Sequence, residues 1–174
     1  MELPIAYFGD TILRKKAKPV EAVDDELRKF VEDMFETMDK NDGAGLAAVQ
    51  VHRDMRLFIS RIDTWNRDGT VNLGTPLVFI NPVLTDPSPE MIAMEEGCLS
   101  LPGIRGMVLR PAEVTVEATD LNGNRFKERY TGIQARCCMH ENDHINGVLM
   151  IDRFSPRERK MVDAKLRLIK KKKR

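Results

Sequence analysis

Long apolar runs and a surplus of one charge are both absent from this 174-residue chain. No apolar run approaches the roughly 18 residues that a membrane helix requires. Lysine and arginine total 28 against 27 aspartates and glutamates, which leaves a formal net charge of +1. So balanced a charge gives no general attraction to nucleic acid. The composition therefore excludes a membrane-spanning protein and gives no sign of specific DNA binding.

The chain also lacks a disulfide framework and an export signal. Its three cysteines are Cys98, Cys137 and Cys138, and an odd number without regular spacing argues for a reducing compartment. The first residues, Met1-Glu2-Leu3-Pro4, contain no basic segment followed by an apolar core, so no secretory signal is predicted. These features predict a cytoplasmic protein.

What is present is an ordinary globular composition, with 42% hydrophobic and 32% charged residues. A chain of this length is typical of one domain with a proper core, and no internal repeat is visible. We therefore expect residues 1–174 to form a single domain.

Three segments carry helical signals. Apolar residues at spacings of three and four between Asp25 and Lys40 predict one helix, opened by the acidic pair Asp24-Asp25. A second helix should follow Thr131-Gly132 and end near Asn146-Gly147. A third should begin at Ser155-Pro156, with proline at its first position, and end in five consecutive cations, Lys170 to Arg174.

The remaining segments predict short antiparallel strands. Residues 56–62 and Leu77–Ile80 read as strands, the latter halted at Asn81-Pro82, with residues 66–76 as a loop between them. Alternation from Glu113 to Thr119, followed by Asn122-Gly123, predicts a hairpin that returns through Phe126 to Tyr130. The expected fold class is α+β, with antiparallel sheets packed around the second helix at the centre and flanked by an N-terminal and a C-terminal helix.

The second helix carries the clearest chemical signal, His140-Glu141-Asn142-Asp143-His144, which has the pattern H-E-x-x-H. Histidines four residues apart lie on the same helix face and can bind one metal ion. Glu141 is then placed to act as a general base on a metal-bound water. The alternative is a helix with two unremarkable histidines and a chance glutamate.

A catalytic metal site of this kind needs a third protein ligand. One class of H-E-x-x-H enzymes has a histidine six residues after the second histidine, but Met150 stands there. Another class uses a carboxylate about twenty residues on, where Asp163 is the nearby candidate. The third candidate is Cys98, whose thiolate is a strong ligand for a transition metal and whose neighbour Gly97 would allow close approach.

Three stretches together resemble the signature motifs of peptide deformylase, in order and at similar spacing: Gly43–Gln50, Glu96–Ser100 and His140–His144. The resemblance covers nearly the whole chain. It implies a hydrolase that removes the N-formyl group from the formylmethionine of newly synthesised proteins and releases formate. It also implies a bacterial-type cytoplasmic enzyme with one divalent metal, Fe(2+) first, held by Cys98, His140 and His144. Zinc, nickel or cobalt could bind the same donors.

The resemblance implies further roles. Glu141 would move the proton, and the Gln50 side-chain amide and the Leu99 backbone N–H would face the developing oxyanion. The nascent peptide would lie extended beside Gly45. The set expected to contact substrate is Ala44, Gly45, Gly97, Arg105, Ile133 and Cys137. Arg105 and Arg110 could instead be ion-pair partners of Glu95 or Glu96, and the basic C-terminal helix could contact the ribosome.

Three residues depart from the family pattern. Met139 stands where many members have glutamine, His52 where glycine is usual, and Val49 where proline or threonine is common. None is an expected ligand or the expected base. Two other functions stay open, a metal-dependent endopeptidase and a non-catalytic binding protein stabilised by a metal.

Overall fold

The computed structural model describes residues 1–172 and centres on a five-stranded antiparallel sheet in the order β1-β2-β5-β8-β9. Its strands are Gly45–Ala47 (β1), Leu57–Ser60 (β2), Leu77–Thr85 (β5), Glu113–Thr119 (β8) and Arg125–Thr131 (β9). Two hairpins accompany this sheet. They comprise Thr64–Trp65 (β3) with Val71–Asn72 (β4), and Met91–Gly97 (β6) with Arg105–Pro111 (β7).

Three α-helices complete the fold: Asp25–Lys40 (α1), Gly132–Ile145 (α2) and Pro156–Lys171 (α3). Short 3-10 helices occupy Thr11–Arg14, Ala48–Val51 and Met150–Arg153. Side chains cap two of the α-helices, because Asp24 accepts a hydrogen bond from Leu27 N and Ser155 accepts one from Glu158 N.

Helix α2 ends where Gly147 takes a left-handed backbone, with φ of 75°. A Cβ at Gly147 would stand 2.6 Å from the carbonyl oxygen of Arg14, so a side chain is excluded there by contact as well as by conformation. The N-terminal segment therefore passes directly over the end of the helix that carries the H-E-x-x-H motif.

The central sheet is covered on both faces, and strand β2 shows why its sequence is continuously apolar. Phe58 packs with Phe79, Val116 and residues of α2, with the Phe58 and Phe79 ring centroids 4.7 Å apart. Its neighbours Leu57 and Ile59 point the other way, into the cluster formed with α1. A strand that is buried on both faces has apolar residues at successive positions and does not alternate between apolar and polar ones.

A third apolar cluster lies beneath α3. Val162, Leu166 and Ile169 of that helix pack with Leu101, Ile104 and Val108 from the β6–β7 region. This cluster fixes the segment after β6, which contains Cys98, against the C-terminal part of the chain.

The expected α+β class, the antiparallel sheets and the three helices are confirmed. The prediction that the strand from Leu77 stops at Asn81-Pro82 is wrong, because β5 continues to Thr85 through a register shift between Ile80 and Val83. Asn81 adopts φ of 49°, and its side chain hydrogen-bonds to both N and O of Val20. Pro82, which has no backbone N–H, therefore lies at a bulge, where no hydrogen bond to the neighbouring strand is lost.

The segment 66–76, expected to be only a loop, contains strand β4. Strands β1, β3, β6 and β7 were not predicted from the sequence. Within residues 1–172, no helix combines the length and apolar character needed to cross a membrane.

Candidate metal centre

One turn of α2 and the turn after β6 bring three donor atoms together. Nε2 of His140 and Nε2 of His144 lie 3.3 Å apart, and Sγ of Cys98 lies 3.3 Å from Nε2 of His144. All three atoms fall within 4.8 Å of one another. The four-residue spacing on the helix therefore aims both imidazoles at the thiol of Cys98.

These separations fit a single ion. Ligands bound tetrahedrally at about 2.0–2.3 Å stand roughly 3.3–3.6 Å apart. Asp163, the carboxylate alternative, lies on α3, where its Oδ1 pairs with Arg159 Nη1 at 2.7 Å. In the part of the chain that the structure describes, the one group of donors close enough to hold a metal is Cys98, His140 and His144.

Glu96 fixes the ring of His140. Its Oε1 lies 2.8 Å from Nδ1 of His140, so that nitrogen donates and Nε2 keeps its lone pair toward the donor group. Burial disfavours the carboxylate form of Glu96, but the hydrogen bonds from His140 and Arg110 outweigh this and hold its pKa well below the usual range. Glu96 is therefore a permanently charged acceptor.

Two arginines contact Glu96, and a second acid and a third arginine lie behind them. Arg110 and Arg136 both donate to it, and Arg110 also donates to Asp143, which Arg153 holds from the other side. From the sequence, the partner of Arg110 could be Glu95, Glu96 or the substrate. Arg110 pairs with Glu96, whereas Arg105 pairs with Glu95 at 2.6 Å.

The roles of Arg136, Asp143 and Arg153 were missed by sequence reasoning. A partial signal existed for two of them, because Arg136 and Asp143 lie four residues before and three residues after His140 and therefore share its helix face.

Glu141 is buried beside the three candidate metal ligands. It is 4% exposed, and its Oε2 has no hydrogen-bond partner among residues 1–172. Burial raises the pKa of its carboxyl to about 7, which suits a group that takes and returns a proton near neutral pH. His144 is similarly enclosed, since its Nδ1 has no partner within the same described residues.

Gln50 also lies next to the donors. Its Oε1 accepts a hydrogen bond from Ala47 N at 2.9 Å, and its Nε2 lies 3.1 Å from Ser100 Oγ and 3.5 Å from Cys98 Sγ. The backbone therefore fixes which end of the amide faces the site.

An open cleft of about 650 Å³ leads to these groups. All six residues expected to contact substrate line it: Ala44, Gly45, Gly97, Arg105, Ile133 and Cys137. Leu99 lines it as well. Burial raises the pKa of Cys137 well above the ordinary thiol value, so this thiol stays protonated. Cys138 is fully buried in the core on the sheet side of the helix.

The three departures from the family pattern lie outside the cleft lining. His52 ends the 3-10 helix with φ of 62°, a left-handed conformation in which glycine is favoured. Val49 is fully buried and Met139 nearly so, and both belong to the core between α2 and the sheet.

Comparison with known proteins agrees with this geometry. The family model described as polypeptide deformylase matches residues 2–160. A peptide deformylase of Acinetobacter baumannii (strain SDF) is 44% identical over 167 residues, which cover 96% of this chain and 91% of that protein.

Two solved structures give the same result. The peptide deformylase of Thermotoga maritima is 41% identical, with a TM-score of 0.80 and coverage of 90% of this chain and 99% of that one. The enzyme of Ehrlichia chaffeensis is 37% identical, with a TM-score of 0.89 and coverage of 99% and 97%. The chain therefore belongs to the polypeptide deformylase family, the metal-dependent hydrolases that remove the N-formyl group from newly synthesised proteins.

Proposed function

We propose that Cys98, His140 and His144 are the ligands of the catalytic metal and that Fe(2+) is its native form. The observation that carries this is the convergence of one thiol and two imidazole nitrogens beside the cleft, whose lining includes Cys98 and His140. A thiolate with two imidazoles also accepts zinc, nickel or cobalt, and the choice among them depends partly on supply in the cell. The enzyme acts in the cytoplasm, where iron and free thiols both stay reduced.

Glu141 is the proton carrier of the reaction. When bound, the metal would supply Lewis acidity and a water of lowered pKa. Glu141 takes the proton of the attacking water and returns it to the amine that leaves when the formyl C–N bond breaks. Its burial and its raised pKa support both halves of this transfer.

Gln50 and Leu99 stabilise the oxygen that gains charge as water adds to the formyl carbon. The Gln50 amide presents its N–H group because Ala47 N occupies its carbonyl oxygen. Leu99 offers its backbone N–H in the residue after Cys98. Donors already oriented before the reaction need no rearrangement as charge develops, which is the condition for this kind of catalysis.

The formylated peptide binds along β1. This strand is the edge of the five-stranded sheet, so its outer side is open for an extended chain to pair beside Gly45. The methionine side chain occupies the apolar part of the cleft formed by Ala44, Ile133 and Cys137. Gly97 and Arg105, on the β6–β7 side, contact the peptide backbone and the residues that follow.

The direct test is a comparison of two hydrolytic activities of the metal-loaded protein. We expect formate release from a formyl-methionyl tripeptide and no cleavage of an internal peptide bond in an unformylated peptide of the same composition. Internal cleavage at a comparable rate would instead indicate an endopeptidase. Metal analysis of anaerobically purified protein, with activity expressed per metal, would identify the native ion.

The basic end of α3 is proposed to contact the ribosome. Lys170 to Lys172 are exposed, and Lys173 and Arg174 lie outside the described residues. Contacts with phosphate weaken steeply with salt. Co-sedimentation with ribosomes should therefore fall as salt rises and on removal of residues 170–174. Co-sedimentation that survives the truncation unchanged would contradict the proposal.

A further inference from the structure

We propose that Asp143 and Arg153 are positioning residues of the metal site, acting on His140 through Arg110 and Glu96. This inference rests on the proposed ligand set. It concerns residues outside the cleft lining, because neither Asp143 nor Arg153 lines the cleft. The route consists of alternating charges that run from the protein surface to one metal ligand.

The inner end of the route is a saturated carboxylate. Oε1 of Glu96 accepts from His140 Nδ1 at 2.8 Å and from Arg110 Nη2 at 3.0 Å. Oε2 accepts from Arg110 Nε at 2.7 Å and from Arg136 Nη1 at 2.6 Å. A carboxylate offers about four acceptor positions, so Glu96 has no remaining freedom to rotate without losing a bond. The two arginines therefore fix the direction from which Glu96 accepts the hydrogen bond of His140.

The outer end holds Arg110 in turn. Its third donor, Nη1, lies 2.9 Å from Oδ2 of Asp143. Arg153 grips both oxygens of Asp143, with Nε 2.6 Å from Oδ2 and Nη2 2.8 Å from Oδ1. A two-point contact of this kind fixes orientation as well as distance. Asp143 therefore cannot turn away from Arg110 while Arg153 is in place.

The route joins four separate elements of the fold. Glu96 lies on β6, Arg110 on β7, His140 and Asp143 on α2, and Arg153 at the end of the 3-10 helix Met150–Arg153. The exposed fraction of the side chain is 44% for Arg153 and 11% for Asp143, and it is only 3% for Arg110 and 5% for Glu96. Ordering by the surface arginine is thus transmitted into a region that water does not reach.

The two histidines differ in the hydrogen bonding of Nδ1, which Glu96 accepts from in His140. His144 Nδ1 has no partner within residues 1–172, so no hydrogen bond at that nitrogen holds its ring from behind. Of the two imidazoles, His140 is the one whose tautomer and orientation are specified by the protein. Partners of this type behind a metal ligand typically change metal affinity by about 10–100-fold when removed.

A purely structural role predicts a different outcome. Buried ion pairs often contribute little to net stability, whereas a ligand whose orientation is lost must weaken the metal directly. The informative measurements are therefore the metal dissociation constant and the electronic spectrum of the bound ion, neither of which reports the strength of the fold alone.

The experiment compares Asp143→Asn and Arg153→Gln with the matched control Arg159→Gln. Arg159 is also a partly exposed arginine, with 38% of its side chain exposed, and it is ion-paired with Asp163 on α3 away from the donors. Dissociation constants are measured by chelator competition on zinc-loaded protein, and visible spectra on cobalt-loaded protein. We expect zinc binding about 10-fold weaker in Asp143→Asn, several-fold weaker in Arg153→Gln and unchanged in the control.

The cobalt bands should shift in both site variants and stay in place in the control. Arg153→Lys, which keeps the charge but not the two-point contact, should recover part of the affinity. Parent-like affinity and parent-like cobalt bands in both Asp143→Asn and Arg153→Gln would overturn the inference. Weaker zinc binding with unshifted cobalt bands would overturn it too, because His140 would then not have moved.

The same assay separates this inference from the ligand assignment on which it rests. Cys98→Ala and His140→Ala should lose most of the bound zinc. If they retain it, the ligand assignment fails. If they lose it while the Asp143 and Arg153 variants bind as the parent does, the positioning route alone fails.

Discussion

Gly45 and Glu141 are in direct contact, and the contact leaves no space for a side chain at position 45. A Cβ on Gly45 would stand 2.8 Å from Oε1 of Glu141 and 2.7 Å from Sγ of Cys137. The backbone of edge strand β1 thus packs directly against the side chain of the proposed base on helix α2. The Glu141 carboxylate therefore occupies space that a Cβ at position 45 would take.

Gly45→Ala should therefore reduce turnover sharply while leaving the metal bound. The added methyl group pushes on the Glu141 carboxylate, and misplacement of a catalytic group by about 1 Å can cost on the order of 100-fold in rate. Formate release and metal content are measured on the same sample. Gly123→Ala serves as control, because its Cβ would meet nothing within 4 Å in the β8–β9 turn. Unaltered turnover in Gly45→Ala would show that Glu141 tolerates displacement.

Glu141→Ala should keep the metal and remove most of the turnover. The change deletes the proton carrier and no ligand, and general acid–base groups contribute roughly 10²–10⁴-fold. The comparison is Glu117→Ala, which removes a carboxylate from β8 that is paired with Arg125 away from the cleft. Near-normal formate release by metal-loaded Glu141→Ala protein would refute the assignment of Glu141 as base.

The parts of this fold that could be predicted from sequence are those with a local signal. Helix α1 was predicted because six apolar residues keep one periodicity, and the β8–β9 hairpin because alternation brackets Asn122-Gly123. Strand β1 has three residues and pairs only through its long-range partner β2, so no local period could reveal it. Strand β5 passes through Pro82 because a bulge tolerates it, which is a tertiary effect.

The same distinction applies to the site. The histidines were recognisable by their spacing along one helix, and Cys98 by its chemistry. The route of ion pairs from Arg153 to Glu96 was not recognisable from the sequence. Its residues come from distant segments and meet only when β6, β7, α2 and the 3-10 helix assemble. A buried charge has no sequence signature that separates it from a solvated one.

Gly106→Ala should destabilise the fold through the ring of Phe154. A Cβ on Gly106 would stand 2.5 Å from Cζ of that ring, which is 8% exposed and packed in the cluster beneath α3. Overpacking of this kind costs about 1–3 kcal/mol. The free energy of unfolding is measured by urea denaturation of metal-loaded protein. The double variant Gly106→Ala/Phe154→Leu should recover part of the loss, and strictly additive effects would contradict the contact.

Cys98 should be the point at which the active enzyme fails in air. If Cys98 binds iron as proposed, its thiolate, in the lining of a cleft that must stay open to substrate, is exposed to oxygen and peroxide by the substrate's own route. Activity of the iron-loaded protein should therefore decay in air, and exchange for nickel or zinc should slow the decay. Cys137 lines the same cleft, but burial raises the pKa of its thiol, and a protonated thiol oxidises slowly.

The two cysteines can be separated by substitution and by mass spectrometry. Cys98→Ala should leave two protein ligands and bind metal far more weakly, whereas Cys137→Ala should keep the metal and at most change side-chain preference. Peptide mapping after exposure to peroxide should place the first sulfenic or sulfinic acid at Cys98. First oxidation at Cys137 or Cys138, together with full metal retention in Cys98→Ala, would remove Cys98 from the ligand set and return attention to a carboxylate such as Asp163.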